Sequence, residues 1–450
     1  MLESLSIATG AFKGLDPLII ALIIIIAWFV LLYVLAKKSI LEKLKMSLMG
    51  PFIMWKTVRG RKFLDRLAKP KRFWKIFGDF SVALCIIIMI LLTAFLIWSA
   101  TLVPSIPRES APRPELLLGV PGLNPIIPIG YGILGLVVAI VFHEFFHGIL
   151  ARVAKVRLQS LGVLLFIVPI GAFVEPDEDE LKKLPRRKRA RLFAAGPTIN
   201  ILLALLFAVI FSSVMMSSVR PGHEGVGITE IYMENSPAEQ AGLVPGMIIF
   251  SANGTNITNL GEFVLAMDRT TPGQDIEIKT YFRGEERVHN ITLAASEDGR
   301  AIIGVRLMTV TTAYFHPIEG AGYFGGVERS ILYYVFLPFL SMPPTQEPLT
   351  DFYVIEGPWS SIPASMFWVL AASVYWIFWI NIMLGATNVL PAVPLDGGYI
   401  FRDGLDKVIE RLKKDMKPER REVIVRNVSY ALALTILALI LWQVVGPYLF

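Results

Sequence analysis

In the run Ile133-Leu-Gly-Leu-Val-Val-Ala-Ile-Val-Phe-His143-Glu144-Phe-Phe-His147-Gly148, three ionisable residues fall within five positions of an otherwise apolar stretch. His143 and His147 are four apart, so on a helix they share one face, a turn from each other. Two imidazoles so placed reach a single Zn²⁺, and Glu144 beside them is set to take a proton from water that the metal activates. The letters His-Glu-x-x-His recur by chance in many proteins. Their setting gives them weight, because ionisable groups inside a membrane span are costly and mark functional sites. The competing reading is a polar network that joins helices or relays protons.

A catalytic zinc takes three protein ligands and keeps a position open. The chain has five histidines, and His223, His289 and His316 lie in or near a polar insert expected on the far side of the membrane. The third ligand is therefore expected to be a carboxylate. Asp396 is the candidate, in Asn388-Val-Leu-Pro391-Ala-Val-Pro394-Leu-Asp396-Gly397-Gly398. The prolines break an apolar span, the paired glycines allow close backbone approach, and Asp396 begins a new helix, where it also suits an N-cap. His143 stands 14 residues into its span. That is about 21 Å along a helix, a depth comparable with Asp396 beyond the end of its own span.

These groups need membrane elements to hold them. Of 450 residues, 54% are hydrophobic and 18% charged, and long apolar runs alternate with short basic ones. Six segments are apolar over enough length to cross a bilayer: Pro17–Ala36, Phe80–Val103, Ile129–Ala151, Leu192–Val219, Ala364–Ala386 and Val428–Val445. The first ends at Lys37-Lys38 without a small-residue cleavage site, so it is expected to remain as a span. Leu161–Ile170 and Ile331–Leu340 are too short to cross and are expected to be re-entrant or interfacial. Lys and Arg number 13 in residues 37–75, 10 in 152–191 and 9 in 402–426, together 32 of 43. All three stretches fall on one side of a six-span arrangement, which the positive-inside rule makes cytoplasmic. The net charge of +6 is thus explained by membrane orientation, and no nucleic-acid partner is expected. The lone Cys85 excludes an internal disulfide or a cysteine metal cluster.

Between spans four and five the grammar changes. Val226–Ile231, Ile276–Tyr281 and His289–Leu293 alternate like half-buried strands, separated by Asn253-Gly254, Pro272-Gly273 and Arg283-Gly284. Ser236-Pro237-Ala-Glu239 reads as a helix start capped by Ser236. The run from Ser236 to Gly254 resembles the PDZ signature of bacterial and archaeal proteases. Two readings of such an insert stand: a peptide binder by strand addition, or a spacer with a blocked groove.

His143-Glu-x-x-His147 in one span, paired with Asn388-x-x-Pro-x-x-Pro-Leu-Asp396-Gly in another, resembles the site-2 protease family of intramembrane zinc metalloproteases. Gly171-Ala-Phe-Val-Glu175-Pro176-Asp177 and Ala195-Gly196-Pro197-x-x-Asn200 extend the likeness across spans three to six and the insert. The resemblance implies one Zn²⁺ per chain held by His143, His147 and Asp396, with Glu144 as general base. It implies that Asn388 and Asn200 hydrogen-bond substrate or the developing oxyanion, against the alternative of bonds between helices. It also implies a re-entrant hairpin over Leu161–Pro176 whose free edge holds substrate. The charge run Glu175–Glu180 followed by Lys182–Arg191 reads as a solvated cytoplasmic face.

The expected fold class is mainly α: a polytopic membrane bundle of about six transmembrane helices with a re-entrant hairpin and an inserted PDZ-like α+β domain. The expected domains are an N-terminal two-span module (1–103), a first catalytic half (104–222), an extracytoplasmic insert (223–310) and a second catalytic half (311–450). The expected partners are transmembrane protein substrates, a peptide ligand of the insert and the lipid bilayer of the cell membrane. A transporter would show internal repeats with broken helices at matching positions, and none is visible. A catalytically dead scaffold is disfavoured by the presence of both Glu144 and Asp396.

Overall fold

The computed structural model describes residues 17–449 except 38–40, 42, 43, 45, 58, 59, 109, 110, 112–115, 117, 118, 120, 123, 167, 297 and 340–344, with side chains undescribed at 17–25, 49, 166–170 and 339. Helix α1 (Pro17–Lys37) is the first element among the described residues. A hairpin of β1 (Met46–Met49) and β2 (Phe52–Thr57) leads into short helix α2 (Arg61–Leu67) and the long α3 (Lys71–Leu102). Helix α4 (Ile129–Val153) carries the two histidines and Glu144. A second hairpin follows, β3 (Leu158–Phe166) and β4 (Val168–Pro176), then the single turn α5 (Glu178–Lys182) and helix α6 (Arg186–Val209).

The insert contains β5 (Val219–Pro221), β6 (Val226–Ile231), α7 (Pro237–Gln240), β7 (Ile248–Ala252), β8 (Thr255–Asn256), α8 (Leu260–Met267), β9 (Asp275–Phe282), β10 (Glu285–Thr292), β11 (Ala294–Ala295), β12 (Ala301–Ile302) and β13 (Val305–Thr309). Short helices α9 (Ala321–Phe324) and α10 (Val327–Phe336) and strand β14 (Tyr353–Ile355) follow it. Three helices complete the chain: α11 (Ala364–Val389), α12 (Asp396–Leu412) and α13 (Pro418–Val445).

Among the described residues, α3, α4, α6, α11 and α13 are long and apolar enough to cross a membrane. Of α1, the described part Ile26–Lys37 is apolar too. The helices outrun the apolar windows of the sequence: α3 starts at Lys71 and α13 at Pro418, well before Phe80 and Val428. Hydropathy marks only the part that faces lipid, while Lys, Arg and Glu favour helix and carry it on into water. Of the stretch Ile331–Leu340, residues 331–336 form the end of α10 and Leu337–Phe339 a 3-10 turn, and Leu340 lies outside the described residues.

The chain divides into two compact units, the first made of residues 1–114, 136–202 and 381–450. Within it the expected hairpin over Leu161–Pro176 is β3–β4, but it is not alone. The sheet order is β1-β2-β3-β4, antiparallel throughout, so residues 46–57 supply half of it. That hairpin lay hidden in a basic loop, because Phe52-Ile-Met-Trp55 runs without polar alternation and is flanked by lysines and arginines. The charge run is not simply solvated, contrary to expectation. Arg191 and Arg187 both grip Asp79 on α3, with Arg191 Nε 2.7 Å from Asp79 Oδ1. Arg189 pairs with Asp403 and Arg186 with Asp406 on α12, the latter at 2.5 Å. These pairs pin α6 to its neighbours at its polar end. Leu64 of α2 packs on α4 at Gly148, where a Cβ would stand 3.3 Å from it. Trp74 and Phe77 of α3 meet Phe146 at centroid distances of 5.6 and 5.5 Å.

The second unit comprises residues 115–135 and 203–380. Its sheet, ordered β10-β9-β7-β6-β13 with β8 on β7, closes over Val226, Ile228, Ile249, Phe263, Ile278 and Ile291. Ser236 caps α7 by accepting the Glu239 amide at 3.2 Å, as its sequence foretold. The segment after the insert returns to it. Strand β14 pairs with β5, Arg283 Nε donates to Asp351 Oδ1 at 3.2 Å, and the Phe352 ring lies where a Cβ on Gly227 would be.

Candidate functional site

The site is built on α4, α6 and the start of α12. One helical turn separates His143 and His147, so both rings leave the same face of α4, their Nε2 atoms 3.1 Å apart. Asp396 Oδ2 lies 3.0 Å from His143 Nε2 and 3.2 Å from His147 Nε2. The three side chains are 8%, 12% and 14% exposed. Asp396 gets there because the chain folds tightly between α11 and α12. A Cβ on Gly397 would stand 2.0 Å from the Val389 carbonyl oxygen, and one on Gly398 2.4 Å from the Val393 nitrogen. The alternative role of Asp396 as N-cap is corrected by the structure. Leu395 holds the cap position, Asp396 is the first helical residue, and no side-chain cap bond forms.

The outer nitrogens decide what the inner ones can do. His147 Nδ1 is 2.7 Å from the Leu192 carbonyl oxygen, which only accepts, so Nδ1 carries the proton and Nε2 is left with its lone pair. Pro197 lies inside α6 and has no N–H to close the ladder, which leaves the Phe193 carbonyl, next to Leu192, without its helical donor. Asn200 Nδ2 donates to the Ala139 carbonyl at 3.2 Å, which turns Oδ1 toward His143 Nδ1 at 3.1 Å. His143 is thereby fixed in the same tautomer. Two bare imidazole nitrogens and a carboxylate oxygen face one point from three sides, an arrangement of acceptors that a cation satisfies. Gly196 makes the room: a Cβ there would be 2.4 Å from His147 Nε2 and 2.7 Å from His143 Nε2. Among the described residues these three form the group of His, Cys, Asp or Glu ligands able to hold a metal ion. The donor set fits zinc, with two histidines, one carboxylate and a side left open.

That open side is a cavity of about 130 Å³, lined by Glu144, His147, Val174, Leu181, Phe193 and Asp396. Glu144 Oε2 accepts the Val174 amide at 3.0 Å. Val174 belongs to β4, the edge strand of its sheet, so this amide is turned away from β3. Asn200 sits at the site, behind His143 rather than in the cavity. Asn388 is not brought into it: its Nδ2 donates to Leu384 within its own helix at 3.0 Å. Sequence reading missed Gly196 as the residue that clears space and Leu192 as an acceptor. The first had a signal, a Gly-Pro pair inside an apolar helix; the second had none, because every residue carries a carbonyl. The remaining histidines have partners of their own: His223 with Glu224, His289 with Thr280 and Ala241, His316 with Glu319.

The sequence profile of peptidase family M50 matches residues 131–436. An uncharacterised protein of Methanocaldococcus jannaschii is 24% identical over 436 residues, which is 96% of this chain and 97% of that one. The zinc metalloprotease RasP of Shouchella clausii is 24% identical over 61% of this chain and 63% of its own. The PDZ domain of an SdrC-like protein from Listeria monocytogenes aligns over 22% of this chain and 98% of that domain, at 19% identity and a TM-score of 0.18. With more than half its length matched, and with two histidines of the zinc-type ligand set on a membrane-capable helix and the aspartate brought to them, the chain belongs to peptidase family M50, the site-2 proteases, and is a multi-pass membrane zinc metalloprotease.

Proposed function

We propose that this protein hydrolyses peptide bonds in or beside transmembrane segments of membrane-anchored proteins, as the second cut of a regulated cascade. The observation that carries the site assignment is the tautomer arrangement. Both outer nitrogens are occupied, so His143 Nε2, His147 Nε2 and Asp396 Oδ2 converge within 3.0–3.2 Å with lone pairs inward. His143, His147 and Asp396 hold one Zn²⁺ per chain. Bound there, zinc supplies Lewis-acid chemistry, acidifying water and polarising a carbonyl oxygen. Glu144, on the cavity wall, takes the proton from water and returns it to the leaving nitrogen. Asn200 is a positioning residue that fixes the His143 ring.

A transmembrane helix must unwind before its carbonyls can be attacked, because they are already hydrogen-bonded. The free edge of β4, beside Glu144, suits an unwound segment that adds as a strand. Small or helix-breaking residues near the cut ease the unwinding. The basic loops put the site toward the cytoplasm and the PDZ-like insert outside the cell membrane. Its edge strand β13 lies beside α8, joined by the Leu260 amide to Thr309 Oγ1 at 3.1 Å, and this groove takes a peptide end.

Zinc content of the detergent-purified protein tests the site without any knowledge of the substrate. Wild type is expected to carry about one zinc per chain and Asp396→Ala nearly none. A well-folded wild type that binds no added zinc would sink the assignment.

A further inference from the structure

The four-stranded sheet takes β1 and β2 from residues 46–57, outside the 131–436 that match the peptidase family. Among the described residues its two open edges are β1 and β4. A two-stranded hairpin by itself is marginal, and one with a bare strand on each side has two places where another strand can add. Here β2 covers the outer side of β3 over five pairs, from Ile53↔Leu165 to Thr57↔Leu161. The approach is close, since a Cβ on Gly162 would stand 2.4 Å from the Trp55 carbonyl oxygen. Lys56 Nζ then reaches across β3 to Glu175 Oε2 on β4 at 3.3 Å, and Ser160 Oγ donates to the same oxygen. The hairpin is itself moored. Trp28 Nε1 of α1 donates to the Pro51 carbonyl at 2.8 Å, and Asp65 of α2 holds Arg152 of α4 at 2.5 Å.

We propose that the N-terminal two-span module is part of the substrate-docking apparatus: its β1–β2 hairpin covers the β3 side of the re-entrant hairpin and fixes the register of β4. An extended segment that adds at β4 lies beside Glu144 and is cut at one bond, whereas the other open edge, β1, stands three strands away. A slip of one residue would turn every side chain to the other face, so holding the register holds the cut position. The inference rests on the reading of β4 as docking edge.

The test uses the full-length protein with Trp55→Pro, which removes a β2 amide that faces β3, and with residues 46–57 replaced by Gly and Ser. Zinc per chain and hydrogen exchange of the Gly171–Glu175 amides need no substrate. KM, kcat and the cut bonds are read on a synthetic single-span peptide carrying a Gly-Pro pair. Expected are unchanged zinc and kcat, exchange at β4 faster by about tenfold, KM raised about fivefold, and cuts spread over neighbouring bonds. Wild-type exchange and a single cut bond in both variants would overturn the proposal, and so would loss of zinc, which would make the hairpin a prop for the metal helices. Ala172→Pro separates the two readings, since position 172 shares the free side of β4 with Val174. If it leaves KM unchanged, docking at β4 fails; if it raises KM while the hairpin variants leave exchange and cut bonds alone, only the hairpin's role fails.

Discussion

A methyl group on residue 196 would stand 2.4 Å from His147 Nε2 and 2.7 Å from His143 Nε2, in the space where a bound metal has to fit. Gly196→Ala is therefore expected to abolish zinc binding while α6, which favours Ala over Gly, stays helical; metal analysis beside circular dichroism checks both. Asn200→Ala frees the His143 ring and leaves Nδ1 without its acceptor, so zinc affinity should fall about 10- to 100-fold in chelator competition. Glu144→Gln keeps an oxygen for the Val174 amide and leaves the ligands intact. It should retain zinc and lower kcat about 10²- to 10⁴-fold, the span of general acid–base catalysis. His143, Glu144 and His147 stood out in the sequence because their charge is improbable in an apolar span and their spacing is chemical, and Asp396 because a third ligand was wanting and prolines and glycines set it apart. The place of Asn200 was not, since whether it faces a substrate or a histidine depends on how α6 packs on α4. That packing leaves no periodic trace.

At the scale of elements, chemistry written in caps and turns reads well from sequence, and long-range strand pairing does not. Ser236, Pro237 and Glu239 announced α7, whereas β2 finds its second partner some hundred residues on, at β3. In the insert, Asn259 Oδ1 caps α8 by accepting the Glu262 amide at 3.0 Å, while Glu262 accepts the Thr258 amide and hydroxyl, each at 2.8 Å. Asn259→Ala should cost about 1 kcal/mol of local stability, read as faster amide exchange over α8. The bond from the Thr258 amide, with that from its hydroxyl, holds the Glu262 carboxyl below its ordinary value of 4.5. A group depressed in the folded state stabilises above its unfolded pKa and loses that contribution as pH falls through the folded one. Protection factors over α8, which compare exchange with that of the unfolded chain, should therefore fall on acidification below 4.5 in wild type, and Glu262→Gln should flatten that response.

Across the whole molecule, the pattern of basic loops makes a claim that labelling can check. Cys85 is fully buried, so an introduced cysteine reports on its own position. Asp298→Cys in the insert and Lys414→Cys between α12 and α13 are both exposed positions. An impermeant maleimide is expected to label the first on intact cells and the second only after lysis; the reverse would invert the topology. A genetic survey of the chain would meet one further consequence of how the histidines are held. His143 leans on a side chain, His147 on the backbone oxygen of Leu192. Every amino acid brings that same oxygen, so replacements at 200 will register as loss of function while conservative ones at 192 pass unseen. Half of what orients the metal site is silent to point mutation and answers only to changes in the helix that carries it.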